Sequence, residues 1–223
     1  VKNNHPQRNI EVNIQLFRTF IRIFAEESTN TMENLFDIAI IGGGPGGYVA
    51  AEKAGKSGLK VILFENKDLG GVCLNEGCIP TKTLLYSAKL LDQARKGDKY
   101  GIHVEGAEAD YKKMTDRKTK VIRKLVAGIG LRMRNAGVEV VKAEATISGR
   151  TVNGAIRIIA NGETYETKNL LLCTGSEPFV PPIPVLDMAT NEAIVTNREL
   201  LALKEAPTSL VIIGGGVIGM EFA

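Results

Sequence analysis

Leu35-Phe36-Asp37-Ile38-Ala39-Ile40-Ile41-Gly42-Gly43-Gly44-Pro45-Gly46-Gly47 is the stretch that decides how this chain folds. The apolar run, interrupted by Asp37 and ended by Gly42, suits a strand buried on both faces of a parallel sheet. Gly42, Gly44 and Gly47 form G-x-G-x-x-G, Tyr48 to Lys56 reads as the following helix, stopped at Gly58, and Lys60 to Glu65 gives a second strand. Together they make a βαβ unit with its first strand central. Bare backbone at Gly42, Gly44 and Gly47, with Pro45 and Gly46 in the same loop, permits a tight turn, close approach of N–H groups to a pyrophosphate and close helix-to-strand packing. The helix N-terminus attracts phosphate charge. Glu65, 18 residues beyond Gly47, is placed to accept hydrogen bonds from a ribose diol. Strand, helix and acid in this order predict nucleotide binding rather than a merely structural turn.

After the second strand comes Gly70-Gly71-Val72-Cys73-Leu74-Asn75-Glu76-Gly77-Cys78-Ile79-Pro80-Thr81-Lys82. On a regular helix, residues five apart have Cα atoms about 8.6 Å apart, whereas a disulfide tolerates no more than about 6.8 Å. If Cys73 and Cys78 bond, the first turn after Gly71 has to be distorted, and Gly77 lets the backbone do so at low cost. A position near a helix N-terminus is expected to lower thiol pKa and favour the nucleophilic thiolate. A pair of buried structural cysteines would leave the flanking Gly70-Gly71 and Ile79-Pro80-Thr81-Lys82 unexplained. A zinc site would need a second ligand pair, and His5 and His103 lie far away in sequence.

The 223 residues carry a formal charge of +3 and 44% hydrophobic content, enough for a real core. Lys and Arg are interspersed and aromatics few, which argues against nucleic-acid binding. No apolar run approaches the roughly 18 residues that would cross a bilayer. Three cysteines do not make the framework of a secreted domain, so a reducing cytoplasm with a working dithiol is expected.

Residues 1–31 read as an extension outside the fold, with Ile10, Ile14, Phe17, Ile21 and Phe24 at helical spacing and Met32 just before the first strand. A targeting helix is the alternative, although the Ser-rich composition of a transit peptide is missing. Thr81 to Lys96 continues as a helix with Leu84, Leu85, Ala88 and Leu91 on one stripe, and Asp110 caps a long helix running to Asn135 and ending at Gly137. Val138 to Ile147, Thr151 to Ala160 and Glu163 to Cys173 look like the strands of a β-meander, with turns at Gly149 and Asn161-Gly162. Pro178, Pro181, Pro182 and Pro184 form an extended linker. Leu210 to Ile213 then reads as an apolar strand, and Gly214, Gly216 and Gly219 repeat the fingerprint before a helix at about Val217.

The cysteine motif, IIGGGPGGYVAAEKAGKSGLKVILFE before it, and LLLCTGSEPFVPP and VIIGGGVIGMEFA after it are similar in order and spacing to the flavin disulfide reductases. Within them the chain from Met32 to Ala223 resembles most the dihydrolipoyl dehydrogenase family, with glutathione- or mercuric-reductase-like enzymes as the alternative. The resemblance implies an α/β fold: a Rossmann-like FAD-binding domain with a β-meander over 32–185, then a linker and the start of a second Rossmann-like, NAD-binding domain over 186–223. It implies a Cys73–Cys78 redox disulfide, Cys73 exchanging with lipoyl sulfur and Cys78 in contact with FAD. Gly42 to Gly47, Gly71 and Glu65 would hold the FAD pyrophosphate and ribose, with Thr174 and Gly175 approaching the cofactor and Cys173 a small core residue. Lys82 is expected near the flavin, paired with Glu221, and Gly214, Gly216 and Gly219 would open the NAD site. The partners implied are lipoyl domains of 2-oxoacid dehydrogenase or glycine cleavage complexes and a second copy of the full-length chain. The family's C-terminal His and Glu have no counterpart, and neither His5 nor His103 matches their motif. This chain is therefore expected to be truncated and not to complete the cycle by itself, the alternative being a non-catalytic FAD-binding fragment.

Overall fold

The computed structural model describes residues 35–183, 191 and 193–223. The expected extension at 1–31, the Met32 start and Pro184 lie outside the described residues. Strands β1 (Leu35–Ile41) and β2 (Val61–Glu65) flank helix α1 (Pro45–Lys56), followed by α2 (Gly71–Asn75), α3 (Cys78–Arg95), a 3-10 turn (Gly97–Tyr100) and α4 (Tyr111–Asn135). Strands β3 (Glu139–Lys142), β4 (Ala145–Arg150), β5 (Ile156–Ala160) and β6 (Glu163–Leu172) come next, then α5 (Asn197–Ala202) and α6 (Val217–Phe222). The six-stranded sheet has the order β3-β2-β1-β6-β5-β4, parallel from β3 to β6 and antiparallel through β5 and β4.

That order combined with one short connection fixes the sheet's shape. β3 and β4 occupy opposite edges yet are joined by Ala143 and Glu144 alone. Five strand spacings of about 4.8 Å would separate them by roughly 24 Å in a flat sheet, whereas three Cα steps span at most about 11 Å. The sheet therefore curls until its edges approach. Phe36, Ala39, Ile62, Phe64 and Ala143 share one buried cluster with Ile158 and Ala160 of the meander, and the Phe64 and Tyr165 rings meet edge-on with centroids 5.2 Å apart. On the other face, Ile40, Val61 and Leu63 pack with Ala51 of α1 and Ile129 and Met133 of α4. β2 is thus buried on both faces, as its unbroken apolar run requires.

Several expectations need correction. The strand expected over Val138 to Ile147 is two strands, because β3 pairs with β2 at one edge of the sheet and β4 with β5 at the other; Ala143, between them, still donates its N–H to the Glu65 carbonyl of β2 at 3.0 Å. Gly149 makes no turn; it sits in β4 at φ +127, where the register with β5 shifts, and β5 starts only at Ile156. Leu210 to Ile213 form no strand and stay exposed, Val211 at 88%, since no described neighbour offers them a hydrogen-bonded edge. On α3 the buried residues are Pro80, Thr81 and Thr83, whereas Leu85 and Ala88 of the expected stripe are exposed. Helix α1 begins at Pro45, three residues before Tyr48, because proline suits a first helical turn. The caps hold as read: Asp110 accepts from the Lys113 N–H at 2.9 Å, and Gly137 follows α4 at φ +67.

Electrostatics lace the helices together. Glu52 of α1 takes both Arg132 of α4 and Lys56, and these cations, Arg132 foremost, hold its carboxyl down at about 2 from the usual 4.5. A lowered carboxyl contributes stability that is complete above about 4.5 and is lost as pH falls through about 2. Arg132→Met should narrow that window by returning Glu52 toward its ordinary range. Urea unfolding of both proteins from pH 5 to pH 2 should show a smaller decline for the variant.

Candidate functional site

The glycine turn is forced by backbone packing at two positions. Gly42 has φ +105, and a Cβ there would stand 2.1 Å from the Cys173 carbonyl oxygen; a Cβ on Gly47 would stand 1.8 Å from the carbonyl oxygen of Gly42. Gly44 is different, since the nearest atom to its Cβ would be Gly71 Cα at 3.6 Å, so its bareness opens the cleft instead of relieving a clash. Helix α1 starts beyond it with Pro45, leaving the N–H groups of Gly46 and Gly47 without intrahelical partners.

Glu65 reaches this turn from the end of β2. Its Oε2 accepts the Gly43 N–H at 2.7 Å and its Oε1 the Lys67 N–H at 2.8 Å. Each oxygen keeps acceptor capacity for a ligand hydroxyl. Gly43 was not singled out in the sequence, although a Cβ there would lie 2.7 Å from Leu69 and 3.1 Å from Glu65.

The cysteine segment bends where its geometry demands. α2 ends at Asn75 and α3 begins at Cys78, with Gly77 between them at φ −145 and ψ −112. Asn75 fastens α2 by donating from Nδ2 to the carbonyls of Asp68, Leu69 and Gly71 at 3.1–3.3 Å. Both cysteines are free thiols, Cys73 half-buried and Cys78 exposed, and they are hydrogen-bonded to each other. That bond, with burial next, pushes the Cys73 thiol up, against the lowering expected from a helix N-terminus. The helix is five residues long and its effect is overcome.

Between these parts lies a cleft of about 810 Å³. Gly42, Gly44, Pro45, Gly46, Glu65, Gly71, Cys73, Thr174 and Gly175 all line it. Cys173 lines it too, so it is more than the small core residue expected. Gly47, Cys78 and Lys82 do not, Gly47 being packed under the turn. Arg198, Glu76 and Lys67 border the cleft and were missed; Thr196 and Glu199, which form a capping box ahead of Leu200-Leu201, were the available signal for α5. His103 pairs with Asp98 at 3.1 Å on the exposed surface, away from the cleft. Among the described residues no cluster of His, Cys, Asp and Glu could hold a metal, and no helix is long and apolar enough to cross a membrane.

The second fingerprint stands outside the cleft. Gly214 has φ +117, and a Cβ on Gly219 would lie 2.3 Å from the Gly214 carbonyl oxygen, repeating the Gly42 and Gly47 relation. Lys82 of α3 pairs with Glu221 of α6, as expected. Replacing Glu65 by Gln should oppose an amide NH2 to one backbone N–H and cost about 1–3 kcal/mol, measurable as a lower urea midpoint.

The profile of the pyridine nucleotide-disulphide oxidoreductase family matches residues 36–223, and the chain belongs to this family. Among curated relatives, the dihydrolipoyl dehydrogenase of Acholeplasma laidlawii is 45% identical over 86% of this chain and 56% of that protein. That of Mycoplasma genitalium is 42% identical over 84% of this chain and 40% of that protein. The HOCl-induced flavoprotein disulfide reductase RclA from Escherichia coli superimposes with a TM-score of 0.66 at 30% identity, over 84% of this chain and 38% of that chain. The chain thus spans about 40–56% of the length of these curated relatives.

Proposed function

We propose that this chain carries the flavin-binding and dithiol portion of a dihydrolipoyl dehydrogenase, which oxidises protein-bound dihydrolipoyl groups with NAD. The observation that carries this reading is Cys73 lining the cleft together with the glycine turn and Glu65, with Cys78, itself outside the cleft lining, interacting with Cys73. Two further features fit an FAD nucleotide there: Gly44 leaves room that protein packing does not require, and Glu65 retains acceptor capacity toward a ribose. The cleft is assigned the phosphate and ribose end of FAD. The flavin-facing role falls to Cys78 by its order in the motif. Similarity to relatives named dihydrolipoyl dehydrogenase favours a lipoyl substrate over other disulfides.

In the oxidised state a dihydrolipoyl thiolate attacks the Cys73 sulfur. The Cys73–Cys78 bond breaks, Cys78 leaves as a thiolate, and a mixed disulfide forms on Cys73. The second lipoyl sulfur attacks that mixed disulfide, releases Cys73 and closes the lipoyl disulfide, so two electrons rest on the cysteine pair. FAD, when bound, would supply the two-electron acceptor for the reduced pair, with NAD as the final acceptor. The raised Cys73 pKa means that its sulfur is reprotonated once released, which draws the exchange forward even though a higher pKa slows departure of the thiol itself. Lys82, paired with Glu221, stands one helical turn beyond Cys78, and its charge is the smallest of the influences on the Cys73 thiol, acting to lower it against the net rise. Lipoyl domains of 2-oxoacid dehydrogenase or glycine cleavage complexes, and a second copy of the full-length chain, are the partners in this reading.

FAD added to the purified chain should remain bound through gel filtration, and reduction should bring out a long-wavelength thiolate-to-flavin band. Cys73→Ser should keep FAD and that band yet lose exchange with dihydrolipoamide. A Cys73→Ser protein that loses FAD altogether would overturn the assigned roles, and a wild-type chain that binds no FAD would overturn the function.

A further inference from the structure

Glu76 and Gly77, the two residues between α2 and α3, are what let Cys73 and Cys78 meet. Most of their backbone is satisfied locally: the Glu76 N–H donates to the Val72 carbonyl at 2.8 Å, and the Gly77 carbonyl accepts from Thr81 N–H at 3.0 Å and Thr81 Oγ1 at 2.7 Å. The Glu76 carbonyl takes its donor from 121 residues away, Asn197 Nδ2 at 3.2 Å. The next residue along forms an ion pair with the same glutamate, Arg198 Nε lying 2.7 Å from Glu76 Oε2 without hydrogen-bond alignment. Other nitrogens of Arg198 engage Glu177 and the Ser176 carbonyl, and its side chain is only 16% exposed.

The helix presenting these two residues is itself anchored. Thr196 and Glu199 close a capping box at its start. Near its end the Leu201 carbonyl accepts from the buried ammonium of Lys118 on α4, whose pKa burial lowers. Asn197 and Arg198 therefore approach the cysteine loop from an anchored platform, gripping both the main chain and the side chain of Glu76.

The geometry points to Asn197 and Arg198 as positioning residues for the dithiol: they touch neither sulfur and hold the bend that presents Cys78 to Cys73. This role rests on the redox reading of the cysteine pair given above. Closing the disulfide removes two protons and two electrons from the thiols, and the disulfide of oxidised dithiothreitol accepts them as it opens to the dithiol. The equilibrium depends on how often one cysteine finds the other, so releasing the bend should disfavour closure.

The test equilibrates the full chain, with and without FAD, in defined ratios of oxidised and reduced dithiothreitol, then traps free thiols by alkylation and measures the Cys73–Cys78 disulfide by mass. Losing the Asn197 hydrogen bond or the Arg198 ion pair is worth a factor of about five. Asn197→Ala and Arg198→Ala should each lower the equilibrium constant for closure by about that factor, with Arg198→Lys recovering part of it. Glu76→Gln should shift it in the same direction as Arg198→Ala. Arg157→Ala, which breaks a remote pair with Glu166, should leave it unchanged. Constants within about twofold of wild type in variants that melt normally would overturn the role. Opposite shifts for Glu76→Gln and Arg198→Ala would overturn it too, because through-space charge would then be the cause. Should Arg198→Ala fail to fold, Asn197→Ala and Arg198→Lys carry the measurement. A wild-type chain that closes no Cys73–Cys78 disulfide at any ratio would sink the redox reading and this role together, whereas a normal wild-type constant with unresponsive variants sinks this role alone.

Discussion

Everything at this site depends on backbone packed against backbone at the carboxyl ends of β1 and β6. A Cβ on Gly47 would overlap the Gly42 carbonyl, and one on Gly42 would overlap the Cys173 carbonyl. With neither present, α1 rises directly off the end of β1 and its first turn faces the cleft. The same close approach brings the Gly43 N–H to Glu65, so the acid at the end of β2 is oriented by the turn it serves. Any side chain at these two glycines would shift three elements together, since buried packing has little slack.

The cysteine segment is built on that turn and not merely beside it. Gly71, at φ +63, lies so close that its Cβ would stand 2.7 Å from Gly44 Cα. The Gly70 N–H donates to the Gly43 carbonyl at 2.8 Å. Two glycine motifs far apart in role are thereby one contact apart in space, and the short helix carrying Cys73 takes its position from the nucleotide turn. The bend after Asn75 then does the rest, because an unbroken helix would hold the cysteines too far apart to interact.

Where local chemistry decides, the sequence was legible. The βαβ unit, the cap at Asp110, the stop at Gly137 and the break at Gly77 each rest on a residue type whose backbone preference is intrinsic. The cleft residues from Gly42 to Glu65 followed from the same logic. Legibility failed where distant segments decide. The split of Val138 to Ile147 arises because its two halves pair with different strands, β2 and β5, near opposite edges of the sheet, partners that strand propensity cannot reveal. Half of the apolar stripe on α3, Leu85 and Ala88, is exposed, and the fully buried positions there are Pro80, Thr81 and Thr83. Arg198 and Asn197 were invisible as site residues, since their importance lies in Glu76, which sequence separation hides.

The two glycine fingerprints separate these regimes within one chain. Gly44 and Gly216, each the residue before its helix, have φ −71 and −72, and Gly42 and Gly214 have φ +105 and +117. The turn is thus reproduced almost angle for angle. Yet the apolar run before the first turn is a central strand with partners on both sides, while Leu210 to Ile213 before the second pairs with nothing described and stands exposed. Glycine spacing specifies a turn and the helix it launches through short-range sterics alone. A strand is specified only when another strand takes up its N–H and C=O groups, so identical motifs give identical corners and unequal sheets.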